Sequence, residues 1–265
     1  MEAAFFDLDK TVIAKASIAA FGRTFYRGGL ISRSTVVRAL ASQFVYLHLG
    51  ASEQKLAKVR ESVLELTKGW NQQEVSRLVR EALDDIVEPI IYAEALDLIE
   101  GHQAAGRLVY LVSASPEEIV RPLAEYLGAR GAIASTAVVD ADGRYTGEMN
   151  FYAYGPFKAD AMRAVAEREG IDLEASYAYT DSYTDAPMLE AVGHPVAVNP
   201  DRVLARLARE RGWEIAEFSR PVRMRDRLPV PSGTAAATGA AVLAVATGAA
   251  VVAWKLGQKP RAATT

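Results

Sequence analysis

Hydrophobic and polar positions change their rhythm several times along the chain. Residues 3 to 6 form a short apolar run that ends at Asp7, and residues 108 to 112 form a second continuous run. Short runs of this kind are typical of buried strands in a parallel sheet. Two more strands are predicted at 177–180 and 196–198, and the Asp142-Gly143 pair predicts a hairpin.

Between the first two of these runs the spacing becomes helical. Apolar residues recur at intervals of three and four in two sets: Val36, Val37, Leu40, Phe44 and Leu47, then Leu56, Val59, Val63 and Leu66. Such periods predict amphipathic helices, and the glycines between them predict the turns. Two further helices are expected at about 93–103 and 158–169.

Strands that alternate with helices predict an α/β fold, with a doubly wound parallel sheet and helices on both of its faces. The helical block between the first two strands predicts an inserted α-helical cap. We place the core at residues 1–15 and 88–218 and the cap at 16–87.

The end of the chain has a different composition. A linker rich in arginine and proline is predicted at 219–232, and no charged residue occurs from Leu228 to Trp254. This span is long enough to cross a bilayer, so a C-terminal apolar, transmembrane helix is predicted at 233–254, with a short basic tail at 255–265. Because alanine favours membrane insertion only weakly, an extension that stays in solution is the alternative.

Composition narrows the classes of function. The net charge of −3 gives no basic face and argues against nucleic acid as a partner. With no cysteine, the chain has no disulfide, thiolate metal site or cysteine nucleophile. The three histidines lack metal-ligand spacing, so no chemistry is assigned to them.

No signal peptide is found at the N-terminus, so we expect a catalytic domain on the cytoplasmic side of the cell membrane. If the tail stays in solution, the whole protein is expected in the cytoplasm.

Polar residues that suit phosphoryl transfer fall at the ends of the predicted strands. They are Asp7, Asp9, Ser113, Asp181 and Asp185, with Lys158 at the start of a nearby helix. Sites in parallel α/β sheets form at these strand ends. A carboxylate can attack phosphorus, and a second can carry the proton. Further carboxylates hold Mg²⁺, while a hydroxyl and an ammonium stabilise the charge on the phosphoryl oxygens.

In this respect the sequence resembles the haloacid dehalogenase superfamily, in its phosphoserine-phosphatase-like branch, subfamily IB. The segment 7–11 (Asp-Leu-Asp-Lys-Thr) resembles the first family motif, Asp-x-Asp-x-Thr. Ser113 fits the second motif and Lys158 the third. The segment 181–185 (Asp-Ser-Tyr-Thr-Asp) resembles the fourth, Asp-x-x-x-Asp. The four motifs occur in the family order over roughly residues 3 to 200.

The resemblance implies a role for each motif residue. Asp7 would be the nucleophile and Asp9 the general acid and base. Thr11, Ser113 and Lys158 would form the phosphate-binding group, in which Thr11 steadies the loop. The implied metal site for Mg²⁺ consists of Asp7, Asp9, Asp181 and Asp185, in which Asp9 contributes its backbone carbonyl and Asp185 binds the ion directly or orients its water ligands.

Two positions depart from the phosphoserine phosphatases of this family, which commonly have serine where this chain has Lys10. They usually carry a glutamate five residues after the threonine of the first motif, and here that position is Ala16. The residue that would meet the ammonium of phosphoserine is therefore missing. The sequence predicts a Mg²⁺-dependent phosphomonoester hydrolase that acts on a small or lipid-linked phosphate through an aspartyl-phosphate on Asp7. A regulatory protein of the same fold that acts through a partner is the alternative.

Overall fold

A computed structural model gives the structure of the chain and describes residues 1–31 and 53–220. The predicted helix with Val36 and Phe44 lies outside the described residues. So do most of the predicted linker, the predicted transmembrane helix at 233–254 and the basic tail. Within the described ranges, no helix is both long and apolar enough to cross a membrane.

The centre of the fold is a seven-stranded sheet. Its strands are β1 (Ala3–Asp7), β2 (Leu108–Pro116), β3 (Gly131–Val139), β4 (Tyr145–Phe151), β5 (Tyr177–Thr180), β6 (His194–Val198) and β7 (Glu214–Ala216). They lie in the order β4-β3-β2-β1-β5-β6-β7. Neighbouring strands are parallel except for β3 and β4, which form the antiparallel hairpin predicted at Asp142-Gly143. The predicted α/β parallel sheet is confirmed.

Helices connect the strands. They are α1 (Ser17–Arg27), α2 (Glu53–Thr67), α3 (Gln72–Val87), α4 (Ala93–Ala104), α5 (Glu117–Tyr126), α6 (Pro156–Glu169), α7 (Ala186–Glu190) and α8 (Arg202–Arg211). Short 3-10 helices cover Glu88–Ile90 and Tyr183–Asp185. The first three helices lie between β1 and β2, where the cap was predicted. The division into core and cap stays a prediction.

Both faces of the sheet are buried, which explains the continuous apolar runs. On β1, Phe6 points into a cluster with helices α4 and α5, whereas Phe5 points into a second cluster with α6, α7 and α8. Successive strand residues face opposite sides, so a strand covered on both faces needs apolar residues at every position. Phe6 also stacks on Tyr179 of β5 with ring centroids 4.3 Å apart. Full burial of each phenylalanine contributes about 1.5–3 kcal/mol.

Among the helices between β1 and β2, α2 packs against β4 and α3 packs against α5. Helix α3 contacts both α1 and α5. At its start, Gln72 donates a hydrogen bond to Glu118 over 2.9 Å. Because Glu118 is a buried carboxylate in the first turn of α5, this contact satisfies a charged group at the junction.

Some elements differ from the predicted ones. Strand β2 continues beyond the predicted end at residue 112 to Pro116, with an irregular register against β3. Strand β6 begins at His194, earlier than the predicted strand at 196–198. The sequence pattern did not predict α8 or β7. Only Leu204 and Ala208 of α8 are buried, and β7 has three residues at the edge of the sheet. Each element therefore has too few buried apolar residues to give a periodic pattern in the sequence.

His102 gives the fold an acid sensitivity. It is buried, and its Nε2 lies 2.8 Å from the Tyr179 hydroxyl. Burial, with a smaller contribution from Arg107, lowers the pKa of His102 from 6.5 to about 4. In the unfolded chain His102 therefore binds a proton below about pH 6.5, whereas in the folded chain it binds one only below about pH 4. Stability from neutral His102 is complete above pH 6.5 and is lost as the pH falls through this window.

We therefore expect His102→Gln to reduce the acid sensitivity of folding. When the pH falls from 7.5 to 5.0, protonation of His102 in the unfolded chain should lower the free energy of unfolding of the wild type by up to about 2 kcal/mol. Urea unfolding at the two pH values measures this difference. His194→Gln is the control, because His194 is exposed and should leave the pH dependence unchanged. An unaltered pH dependence in His102→Gln would contradict the assignment.

Candidate active site

The order of the strands places β1 between β2 and β5, where the connections leave in opposite directions. A crevice outside the carboxyl ends of strands forms at such a switch point. Asp7 is the last residue of β1, Ser113 lies in β2, and Asp181 follows the end of β5. Lys158 and Asp185 come from α6 and from the 3-10 helix after β5. Residues far apart in sequence thus meet at one edge of the sheet.

The loop after β1 is tightly folded. The backbone N–H of Lys10 donates to the carbonyl of Ile13 over 2.7 Å, and that of Val12 donates to Leu8 over 3.0 Å. Lys10 has a φ of 65°, a left-handed conformation that favours glycine. Thr11 is fully buried, and its hydroxyl has no hydrogen-bond partner among the described residues. The turn keeps this segment against the end of β1.

Lys158 joins two carboxylates. Its Nζ donates to Oδ1 of Asp7 and to Oδ2 of Asp185, each over 2.6 Å, and all three side chains are at most 7% exposed. Thr180 also donates its hydroxyl to Oδ2 of Asp185 over 3.0 Å. The bend before α6 depends on Gly155, whose φ of 56° with ψ of −129° disfavours a residue with a Cβ.

The single positive charge of Lys158 faces two acidic side chains, those of Asp7 and Asp185. Burial raises the pKa of Asp7 to about 8; Lys158 opposes this rise, while Asp185 and Asp9 add to it. Burial alone would lower the pKa of Lys158, but Asp7 and Asp185 together raise it above its usual value. Lys158 is therefore a cation held between two buried acidic groups. A further positive charge would stabilise the carboxylate of Asp7.

Asp181 is a third acidic group of this region. Its side chain is 14% exposed, and Lys10 Nζ approaches its Oδ2 to 4.0 Å. Burial raises the pKa of Asp181 to about 6; Asp185 acts in the same direction, whereas Lys10 and Lys158 oppose it. Lys10 is largely exposed, so this ion pair contributes little to stability.

Asp9 has its own set of hydrogen-bond donors. Its Oδ1 accepts from the backbone N–H of Ser17 over 2.5 Å. Its Oδ2 accepts from the hydroxyl of Ser115 over 3.1 Å and from that of Ser113 over 3.4 Å. The Ser17 and Ser115 hydroxyl oxygens are 2.7 Å apart.

The structure thus brings the predicted residues into two adjoining groups. Asp7, Lys158 and Asp185 form one, and Asp9 with Ser113 forms the other. Three contacting residues were not singled out from the sequence: Ser17, Ser115 and Thr180. A weak signal existed for Ser115, since it lies two residues beyond Ser113 in the same strand. Nothing in the local pattern marked Ser17, which is 98 positions from Ser115.

The acidic residues suit a hard cation. Asp7, Asp181 and Asp185 offer carboxylate oxygens, and burial, with a smaller contribution from Asp185, raises the pKa values of Asp7 and Asp181. Over residues 1–31 and 53–220, no three His, Cys, Asp or Glu side chains form a metal-binding group by themselves. Mg²⁺ is commonly held by one or two carboxylates with water and phosphate oxygens, so the donors present fit this ion.

Comparison with known proteins gives several relatives that align with most of the chain. A protein of Streptomyces azureus named "Inhibition of morphological differentiation protein" is 52% identical over 91% of this chain and 88% of its own length. A Mycobacterium tuberculosis protein named "Probable phosphatase" is 51% identical over 91% and 83%. A phosphoserine phosphatase of the same organism is 38% identical over 91% and 79%.

A solved structure and a family model also match the chain. A crystal structure of a Bordetella pertussis protein of unknown function superposes with a TM-score of 0.70 and 29% identity, covering 81% of this chain and 97% of that one. The family model for haloacid dehalogenase-like hydrolases matches residues 4–190, which include every residue of both groups described above. The chain belongs to the haloacid dehalogenase-like hydrolase family.

Proposed function

We propose that this chain is a Mg²⁺-dependent phosphomonoester hydrolase that forms an aspartyl-phosphate on Asp7. The observation that carries the proposal is the buried contact of Lys158 Nζ with Asp7 and Asp185, at 2.6 Å each. It sets an ammonium beside a carboxylate at the end of the central strand. An ammonium in this place favours the anionic form of Asp7 and can bind a phosphoryl oxygen.

The first step forms the bond between a carboxylate oxygen of Asp7 and phosphorus, while the bond from phosphorus to the leaving oxygen breaks. Asp9 gives that oxygen a proton. In the second step Asp9 takes a proton from water, and the water oxygen attacks phosphorus. The acyl-phosphate bond then breaks, which frees Asp7 and inorganic phosphate. Ser113 and Lys158 donate hydrogen bonds to the phosphoryl oxygens in both steps.

The proposed ligands for Mg²⁺ are the carboxylates of Asp7 and Asp181 with the backbone carbonyl of Asp9, while Asp185 would bind the ion directly or orient its water ligands. A bound Mg²⁺ would supply positive charge that offsets the repulsion between these carboxylates and a phosphate. Thr11 would keep the loop between Asp9 and α1 in place, in line with its full burial.

The substrate class follows from the entrance to the site. One relative is named a phosphoserine phosphatase. In this chain Ala16 is exposed at the start of α1 and offers no carboxylate to an ammonium group, while Lys15 beside it is exposed. We therefore favour a small or lipid-linked phosphomonoester that lacks the amino group of phosphoserine.

A second candidate function is regulatory, in which the same fold acts through a partner. The name of the Streptomyces azureus relative, which refers to inhibition of morphological differentiation, favours it. The presence of all four motifs in the chain favours catalysis. An effect in cells that survives Asp7→Asn would support the regulatory function.

Replacement of Asp7 by asparagine keeps the size of the side chain but removes the nucleophile. We expect hydrolysis of a phosphomonoester panel with Mg²⁺ to fall at least about 1000-fold, and chelation of the metal to abolish wild-type activity. Asp160→Asn is the matched control, because Asp160 is exposed on α6, and it should retain activity. Activity that persists in Asp7→Asn, or that ignores chelation, would refute the mechanism.

Lys158→Met removes the charge and gives an unbranched side chain that is one atom shorter. The expected loss in kcat is about 100-fold or more, because Asp7 and the phosphoryl group lose their shared cation. Arg163→Met, an exposed change on the same helix, serves as the control and should have little effect. Equal kcat values for the two variants in a steady-state assay would exclude Lys158 from the site.

The membrane attachment is a separate proposal that rests on the uncharged stretch from Leu228 to Trp254. We expect the full chain to remain with membranes during carbonate extraction, because a spanning helix is held by its apolar surface. A chain that ends at residue 227 should be released. Release of the intact chain would refute the anchor and leave the catalytic proposal unaffected.

A further inference from the structure

The carboxylate of Asp9 is held from two sides by parts of the chain that are remote in sequence. Its Oδ1 accepts from the backbone N–H of Ser17, the first residue of α1. Its Oδ2 accepts from the hydroxyl of Ser115 in β2. Ser17 and Ser115 are 0% and 4% exposed. A buried contact of this kind fixes the carboxylate more firmly than a contact with solvent.

In the contact with Ser17, Asp9 accepts from a backbone N–H at the start of α1 that has no partner within the helix. The first N–H groups of a helix have no partner within it, and Ala16, which precedes α1, provides no side-chain cap. Asp9 takes this place and caps α1 from the loop after β1. The positive end of the helix dipole favours a carboxylate there. The position of α1 and that of Asp9 are therefore tied together.

The hydroxyl protons establish the direction of the remaining bonds. Ser115 has one hydroxyl proton and donates it to Asp9 Oδ2. In the 2.7 Å contact between the two hydroxyls, Ser17 must then be the donor and Ser115 the acceptor. A chain of hydrogen bonds thus runs from Ser17 through Ser115 to Asp9.

Ser113 has a different place in the group. Its hydroxyl accepts from the backbone N–H of Ser115 over 3.0 Å, and its own contact with Asp9 is longer, at 3.4 Å. In the proposed function Ser113 turns its proton towards a phosphoryl oxygen and releases Asp9. Ser17 and Ser115 would then be the contacts that keep Asp9 in place while substrate is bound.

We propose that Ser17 and Ser115 are positioning residues that hold Asp9 within reach of the leaving oxygen. The inference rests on the proposed function, in which Asp9 gives the leaving group its proton. Neither serine needs to touch the substrate. Without the Ser115 hydroxyl, Oδ2 loses its closest side-chain partner, and the carboxylate can rotate away from the scissile bond.

Such a role has a chemical signature. An alkoxide leaving group needs a proton in the transition state, whereas p-nitrophenolate leaves readily without one. A displaced Asp9 should therefore slow the hydrolysis of glycerol 2-phosphate much more than that of p-nitrophenyl phosphate. The constant to compare is kcat/KM, because it covers the steps up to phosphorylation of Asp7 and excludes the hydrolysis of the intermediate, which both substrates share.

The test uses the full chain with Mg²⁺ and these two substrates. For Ser115→Ala we expect kcat/KM to fall about 10- to 100-fold with glycerol 2-phosphate and less than about threefold with p-nitrophenyl phosphate. Ser17→Ala retains its backbone N–H, so a smaller loss of about three- to tenfold is expected, with the same preference. Inhibition by inorganic phosphate should be unchanged in both variants, because neither hydroxyl is assigned to the phosphoryl group.

Two comparisons separate positioning from a general loss of stability. Ser176→Ala is the matched control: Ser176 is also a fully buried serine with two hydrogen bonds, but it lies next to Ala3 at the opposite end of β1. It should affect both substrates equally or not at all. In an Asp9→Asn background, the additional Ser115→Ala change should cause no further loss, because Ser115 acts through Asp9.

The outcomes are distinguishable. Equal losses with the two substrates, or a further loss in the Asp9→Asn background, would overturn the positioning role while the proposed function stands. A weaker inhibition by phosphate in Ser115→Ala would also overturn it and would place Ser115 among the phosphate ligands. A wild-type chain that hydrolyses neither substrate would reject the proposed function and this inference together.

Discussion

A buried ammonium between two carboxylates is the interaction on which the site depends. Lys158, Asp7 and Asp185 come from α6, β1 and the segment after β5, and all are nearly inaccessible to water. Removal of three charged groups from water is unfavourable unless each finds a partner. Helix α6 and the end of β5 must therefore stay close to β1, and the apolar cluster below them, which includes Met162 and Met188, fixes that distance.

The same arrangement leaves the group short of positive charge. One lysine faces two acidic side chains, with Asp181 nearby, and burial raises the pKa values of Asp7 and Asp181. A core selected for stability alone would have little reason to contain such a cluster. In the proposed function, a bound Mg²⁺ would supply the positive charge that this group lacks.

The second group around Asp9 connects the central sheet to the helices between β1 and β2. The N–H of Ser17 at the start of α1 and the hydroxyl of Ser115 in β2 meet on one carboxylate. Ala16, where the phosphoserine phosphatases of the family usually carry a glutamate, directly precedes Ser17 of this second group.

The sequence by itself determined the elements with strong local patterns and the residue types of the chemistry. Strands β1, β2 and β5, the Asp142-Gly143 hairpin and α6 follow from apolar periodicity and turn residues. Short spacings indicated Asp7 with Asp9 and Asp181 with Asp185, whereas Ser113 and Lys158 were indicated by the order of the four motifs along the chain. The tertiary structure alone decided that Lys158 bridges Asp7 and Asp185, and that Ser17 and Ser115 meet at Asp9. Such contacts join residues as many as 151 positions apart. They depend on how the sheet and helices pack, and no local pattern of side chains contains that information.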